Sequence, residues 1–175
     1  MVTSPLEIER KWMVKGWPDR AEEEALPILK EEQMEQGYVS VEPTVRIRSE
    51  KQTGKEPRYI MCLKSRVDGL VRKETEFPIL PEHFQQIEDI IGLPLVPKVR
   101  RTYLLSDGHH LEVNAVDEGA KTAFYYAEVE FESREDAANF EPARVGMEEY
   151  LKDEVTNTPG MSMGAYWKKV RLGQN

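Results

Sequence analysis

Residues Leu6 to Trp12 read LEIERKW, and the two parities of this stretch carry different chemistry. Successive side chains of an extended chain point to opposite faces. Leu6, Ile8, Arg10 and Trp12 therefore fall on one side, and Glu7, Glu9 and Lys11 on the other. The second side is a row of two carboxylates and one ammonium. Taken alone, such a row is a solvated sheet face. Its meaning changes because nearly every later strand-like segment repeats it.

The repeats follow in order. The first strand ends before Gly16-Trp17-Pro18-Asp19. A mostly helical region is predicted next, interrupted early by Pro27 and closed by Gly37, followed by a short strand from Tyr38 to Val41. After Glu42-Pro43 turns the chain, TVRIRSE alternates Val45 and Ile47 with Arg46 and Arg48. The loop from Lys51 to Pro57 leads into RYIMCLKS, with Lys64 after an apolar run. A turn at Val67-Asp68-Gly69 opens LVRKETEF, where Arg72, Glu74 and Glu76 share a face. Pro81 starts an amphipathic helix through Phe84, Ile87, Ile90 and Ile91, and Gly92 ends it. KVRRTYLL then places Lys98 and Arg100 on one face, HHLEVNAV places Glu112 and Asn114, and FYYAEVEFE places Glu128, Glu130 and Glu132. A terminal helix is predicted from Met163 to Arg171. About eight strands with short turns fit an antiparallel barrel or a strongly curved sheet.

Composition bounds the rest. The 175 residues fit one domain, 1–175, and 39 % hydrophobic with 9 % aromatic residues describes a globular chain. No stretch approaches the ~18 apolar residues of a membrane span, and MVTSPLEIER lacks the apolar run of a secretory signal. One cysteine, Cys62, excludes an internal disulfide and a thiolate zinc cluster. These features predict a cytoplasmic protein with no membrane partner. The net charge of −8 is concentrated in two segments. Asp19 to Gln36 holds seven acids against two bases, and Arg134 to Glu154 seven against three. Both are read as solvated helix faces. The strand portion is nearly neutral and dense in both signs.

The polar faces of the strands collect Lys11, Arg46, Arg48, Lys64, Arg72, Lys98 and Arg100 with Glu7, Glu9, Glu74, Glu76, Glu112, Glu128 and Glu130. Pointing outward they make an ordinary solvated sheet. Pointing inward they line a tunnel of matched charge, with the apolar parities covered by helices. Burying so many charges is costly unless the space holds water or an ionic ligand. Arginines and lysines aimed at one space suit a molecule with several phosphates. Carboxylates beside them suit a hard divalent cation bridging to phosphate, Mg²⁺ or Mn²⁺. Cationic clamp plus metal is what phosphoryl transfer requires.

The ordered series resembles the CYTH superfamily, the triphosphate tunnel metalloenzymes. Glu7-Ile8-Glu9-Arg10-Lys11 is its ExExK signature, followed by QGYV, VRIR, MCLKS, RKETEF, KVRRTY, LEVN, AEVEF and DEVT over almost the whole chain. The resemblance implies an α+β protein: an eight-stranded antiparallel β-barrel, or tunnel, with a charged lumen and helices packed outside. It implies hydrolysis of a triphosphate with a divalent metal. Glu7, Glu9, Glu128 and Glu130 correspond to metal-binding carboxylates, with Asn114 at a further metal position. Lys11, Arg46, Arg48, Lys64, Arg72, Lys98 and Arg100 correspond to the phosphate clamp. Lys11, Glu74 and Glu76 are the catalytic candidates, the two glutamates holding cations in place or orienting water. The sequence departs from the family where LEVN stands for LELD, which removes one negative charge at Asn114. It also departs at Asn157 to Met163, before a terminal helix placed to plug one end of the tunnel.

The leading reading is a triphosphatase acting on inorganic triphosphate or a small organic triphosphate, as a monomer or homodimer. Adenylate cyclase and a non-catalytic polyphosphate-binding module are the alternatives. His83, His109 and His110 show no metal or nucleophile spacing and are read as surface residues. A GxxxxGK phosphate loop and a basic patch interleaved with aromatics are both absent, which speaks against a nucleotide-binding loop and a nucleic-acid partner.

Overall fold

The computed structural model describes residues 6–18, 26–68 and 70–174. LEIERKW forms β1 (Leu6–Val14), and its parities separate as the alternation requires. Ile8 and Trp12 are buried on one side, while Glu7, Glu9 and Lys11 line an internal cavity on the other. The same separation holds in β3 (Thr44–Gln52), β4 (Arg58–Lys64), β5 (Val71–Pro78), β6 (Val96–Leu104), β7 (His110–Val116) and β8 (Phe124–Glu130). Helix α1 (Pro81–Ile91) begins with proline at its first turn and ends at Gly92, whose φ of 64° is the left-handed C-cap geometry that glycine adopts cheaply.

One expectation fails. The region predicted as helix contains β2 (Ile28–Val41), a 14-residue strand that absorbs the short strand expected at Tyr38 to Val41. Residues 19–25, where that helix would begin, and Gly69 of the predicted turn lie outside the described residues. Leu, Lys, Glu, Gln and Met are helix formers, so local propensity favours helix over Leu29 to Gln36. Pairing on both edges overrides it: Glu32 faces Gln52 of β3 and Arg100 of β6, and Gln36 faces Arg48 and Val96. The acidic run is thus half internal, with Glu32, Met34 and Gln36 buried and Glu31, Gln33 and Glu35 exposed.

Strand order is β5-β4-β3-β2-β6-β7-β8-β1, and β1 also pairs with β5, which closes an eight-stranded antiparallel barrel. Glu9 lies opposite Glu130 and Lys11 opposite Glu128 across β1 and β8, while Glu7 lies opposite Arg72 across β1 and β5. Closure through Leu6–Ile8 and Val71–Lys73 turns one parity of every strand inward. The second half of β1 extends past β5 and pairs instead with the two-residue β9 (Asp153–Glu154).

Three helices cover the outward apolar parities and one barrel end. Phe84 of α1 packs with Ile47 and Leu95. Helix α2 (Arg134–Asn139) and the 3-10 turn Pro142–Val145 cover Trp12, Leu111, Val113 and Val129, with Trp12 edge-on to Phe140 at 6.0 Å. Each large apolar side chain buried this way contributes roughly 1.5–3 kcal/mol. Arg10 ties the seam, donating Nη1 to the Ala137 and Phe140 carbonyls at 3.1 and 2.8 Å and Nη2 to Glu154 at 2.6 Å. Helix α3 (Met163–Arg171) lies across one barrel end, where Met163 and Trp167 pack on Tyr38, Val96, Val116 and Tyr126. His109 departs from its reading as a surface residue: it bonds Asp107 and Asp136 and packs on Phe131 and Phe140, anchoring α2. Among the described residues no helix is long and apolar enough to cross a membrane.

Candidate functional site

The barrel encloses a cavity of about 600 Å³. Lys11, Arg46, Arg48, Lys64, Arg72, Lys98 and Arg100 line it, together with Glu7, Glu9, Glu74, Glu76, Glu112, Glu128 and Glu130. Strand parity alone brings them together, because residues two apart on a strand share a face. Residues 155–164, from β9 into α3, close the end opposite Glu112 and Glu130 and contribute Thr156, Met161 and Met163 to the lining.

Inside, cations and carboxylates hold one another. Lys64 Nζ contacts Glu7 at 2.6 Å and Glu74 at 2.8 Å. Arg72 donates Nε to Glu7 and Nη2 to Glu9, the latter at 3.2 Å. Glu76 Oε1 accepts from both Arg46 at 3.1 Å and Arg48 at 3.3 Å. Arg100 contacts Glu112 at 2.8 Å, and Lys11 contacts Glu128 at 3.4 Å. Glu74 and Glu76 therefore act as braces for three cations of the clamp. Arg46 and Arg48 each keep a buried Nε with no acceptor.

Asn114 does not line the cavity. It is fully buried, and its Oδ1 accepts from Arg100 Nε at 3.0 Å, so its carbonyl orients a clamp arginine. Glu132, of the same parity as Glu128 and Glu130, lies beyond the end of β8 and outside the cavity.

The carboxylates near β1 and β8 crowd each other. Burial, then Glu128 and Glu7, push the Glu9 carboxyl up to about 7. Burial, then Glu7 and Glu112, also raise Glu130, which has no ion-pair partner among the described residues. Burial works against the charge of Glu128 too, but Lys11, Arg100 and Lys98 outweigh it and hold that carboxyl below its ordinary value. Two carboxylates with raised proton affinity beside a third that stays ionised form a place where added positive charge is welcome. A second group, Cys62 with Glu74 and Glu76, has its ligand atoms within 4.8 Å of one another. Lys64, Arg46 and Arg48 already answer its charge, and burial pushes the Cys62 thiol up to about 12, so it offers no thiolate.

Two buried carboxylates outside the cavity lining, Glu50 and Glu32, and two tyrosines that line it were not found from the sequence. Glu50 is buried between Arg48 at 2.6 Å and Arg58 at 2.6 Å, and Glu32 is buried against Lys30 at 2.9 Å. Glu50 shares the parity of Arg46 and Arg48, a signal present in TVRIRSE. Glu32 was hidden by the helical reading of its segment. Tyr38 and Tyr126 also line the cavity, at positions where the alternation alone marks only an inward side chain.

No protein-family model and no curated protein matches the chain. Solved structures do. The inorganic triphosphatase NE1496 aligns over 95 % of both chains with 27 % identity and a TM-score of 0.58. The Hippeastrum protein HpAC1, described as a putative adenylyl cyclase with a dominant triphosphatase activity, aligns over 97 % of both chains at 18 % identity and a TM-score of 0.57. The PH1819 protein of Pyrococcus horikoshii covers 83 % of this chain, and 88 % of its own length is matched, at 19 % identity and a TM-score of 0.53. The last two likenesses speak to the fold.

Proposed function

We infer that this chain, which its closed eight-stranded tunnel and the order of its lumen residues place in the CYTH superfamily, hydrolyses a triphosphate inside that tunnel. The carrying observation is that seven cations from five strands face one cavity of about 600 Å³. A polyanion is the ligand whose charge answers them, and its oxygens suit the planar donors of Arg46, Arg48, Arg72 and Arg100. The likeness to an inorganic triphosphatase over nearly the full length of both chains supports the same substrate class here.

The residues fit a divalent cation. Glu7, Glu9, Glu128 and Glu130 would hold it, because crowding and burial already raise two of them toward their neutral forms. When bound, Mg²⁺ or Mn²⁺ would neutralise phosphate oxygens and lower the cost of attack by water. Asn114, with its oxygen committed to Arg100, is assigned to orienting that arginine. Lys64 is shared between Glu7 and Glu74, and Arg72 between Glu7 and Glu9, so substrate binding exchanges carboxylate partners for phosphate oxygens. Glu76 keeps the Arg46 and Arg48 guanidiniums side by side, which preorganises the clamp for charge moving onto the departing phosphate. Lys11, held at Glu128, supplies a further ammonium to the reacting chain. The partner is a small molecule, and one buried cysteine suits a reducing compartment, the cytoplasm.

The test is purified protein with Mg²⁺ or Mn²⁺ and tripolyphosphate, ATP or thiamine triphosphate, scoring orthophosphate and cyclic AMP. Orthophosphate release that a chelator abolishes and Glu9→Gln removes supports the reading. Tight binding without turnover under either metal refutes it.

A further inference from the structure

Tyr126 stands on β8 two residues before Glu128, so its side chain shares the lumen face with the metal-side carboxylates. It is 1 % exposed, and its ring is backed by Phe124 at 5.9 Å and by the cluster containing Met163 and Trp167. Its other side serves two cations from different strands. Lys11 Nζ lies over the ring, 3.8 Å from the centroid. The phenol oxygen accepts a hydrogen bond from Lys98 Nζ at 3.1 Å.

Lys98 needs that contact. It is 3 % exposed, and among the described residues no carboxylate reaches it within ion-pair distance. Every other clamp lysine has one: Lys11 has Glu128, and Lys64 has Glu7 and Glu74. Burial, then the Arg100 and Arg48 charges, push the Lys98 amine well below its ordinary value, so its charged form is costly until an anion arrives beside it. The position along the tunnel adds a direction. Tyr126 touches the α3 cluster that closes one end, whereas Glu112 and Glu130 lie toward the other. A phosphate chain extending to the closed end presents its last group there.

We propose that Tyr126 is the floor of a subsite for a terminal phosphate, holding the Lys11 and Lys98 ammonium groups so that both serve the same phosphate oxygens. This rests on the triphosphate reading of the tunnel. The ring face attracts Lys11 without consuming a hydrogen bond, so its N–H groups stay available to the substrate. The phenol oxygen fixes Lys98 through one hydrogen bond, which leaves the other N–H groups to the substrate and places no competing negative charge in the subsite.

The test compares wild type with Tyr126→Phe, which keeps the ring and removes the hydrogen bond to Lys98, and Tyr126→Leu, which removes both. Steady-state hydrolysis of tripolyphosphate and calorimetric titration with tripolyphosphate and pyrophosphate supply the readouts, with thermal unfolding in parallel. Tyr126→Phe is expected to raise KM about tenfold with kcat nearly unchanged, and Tyr126→Leu to raise it about a hundredfold. A purely structural role would lower the unfolding temperature and the active fraction while leaving KM alone. The near-isosteric Phe variant keeps the test open if the Leu variant does not fold. Wild-type KM and affinity in Tyr126→Phe, or a loss of active protein at constant KM, overturns the subsite. Absence of tripolyphosphate binding and turnover in wild type overturns the triphosphate reading and the subsite together.

Discussion

Glu9→Gln is expected to make the metal-free protein more stable at pH 8 while abolishing turnover. The reason is the position of Glu9 between burial, Glu128 and Glu7, which lifts its carboxyl from 4.5 to about 7. A carboxyl raised in the folded state binds its proton more tightly folded than unfolded. Stability is therefore unaffected below the unfolded value of 4.5 and falls as pH rises from there to about 7. Above that, the ionised group costs the fold about 3 kcal/mol at most, at 1.36 kcal/mol per unit. The side chain keeps 28 % of its surface accessible in the tunnel, so solvent screening brings the effect to about 1–2 kcal/mol. Glutamine retains an oxygen for Arg72 Nη2, which lies 3.2 Å from Glu9 Oε1, and removes only the charge. Urea unfolding in a chelating buffer measures the difference: Glu9→Gln above wild type at pH 8, and the two equal near pH 4.5. Added Mn²⁺ should stabilise wild type at pH 8 and leave the variant unmoved. A variant less stable than wild type at pH 8 without metal would show that Glu9 is not held in a carboxylate-crowded site.

Three further outcomes test other parts of the structure. Glu76→Gln leaves Arg46 and Arg48 adjacent without their shared carboxylate, and triphosphate KM is expected to rise about tenfold or more in steady-state kinetics. Arg171→Met leaves the buried Asp117 carboxylate, which Arg171 meets at 2.9 and 3.0 Å, with the Tyr166 hydroxyl and no counter-charge; chemical unfolding should show a loss of about 2–4 kcal/mol. Gly164→Ala places a Cβ 2.6 Å from Val41 Cγ1, a stiff β-branched neighbour, and is expected to cost about 1–3 kcal/mol. Limited proteolysis within residues 155–164 should then quicken as α3 loosens from the barrel end.

Most of the barrel was legible because a strand writes its two faces into alternate residues. LEIERKW, TVRIRSE and AEVEF each separate charge from apolar side chains with period two, and α1 announces itself through Pro81, Phe84, Ile87 and Gly92. The segment from Leu29 to Gln36 was misread because its residues are individually good helix formers. Hydrogen bonding to β3 on one edge and β6 on the other outweighs a propensity of a few tenths of a kcal/mol per residue. That misreading concealed Glu32, and with it the contacts of Glu32 to Lys30 and Arg58.

The sequence by itself determined which residues of LEIERKW share a face, since backbone geometry alone sets the parity of Glu7, Glu9 and Lys11. It could not determine whether that face meets water or a lumen. Closure of β1 onto β5 decided this, by turning the same parity of eight strands toward one space. Nor could it say which charges answer which. Lys64 lies between Glu7 and Glu74, Glu76 beneath Arg46 and Arg48, and Tyr126 under Lys11 and against Lys98. Apart from Lys64 and Glu74, which stand on the consecutive strands β4 and β5, these partners come from strands that are not neighbours in the chain, and only the register of the closed barrel brings them within contact distance.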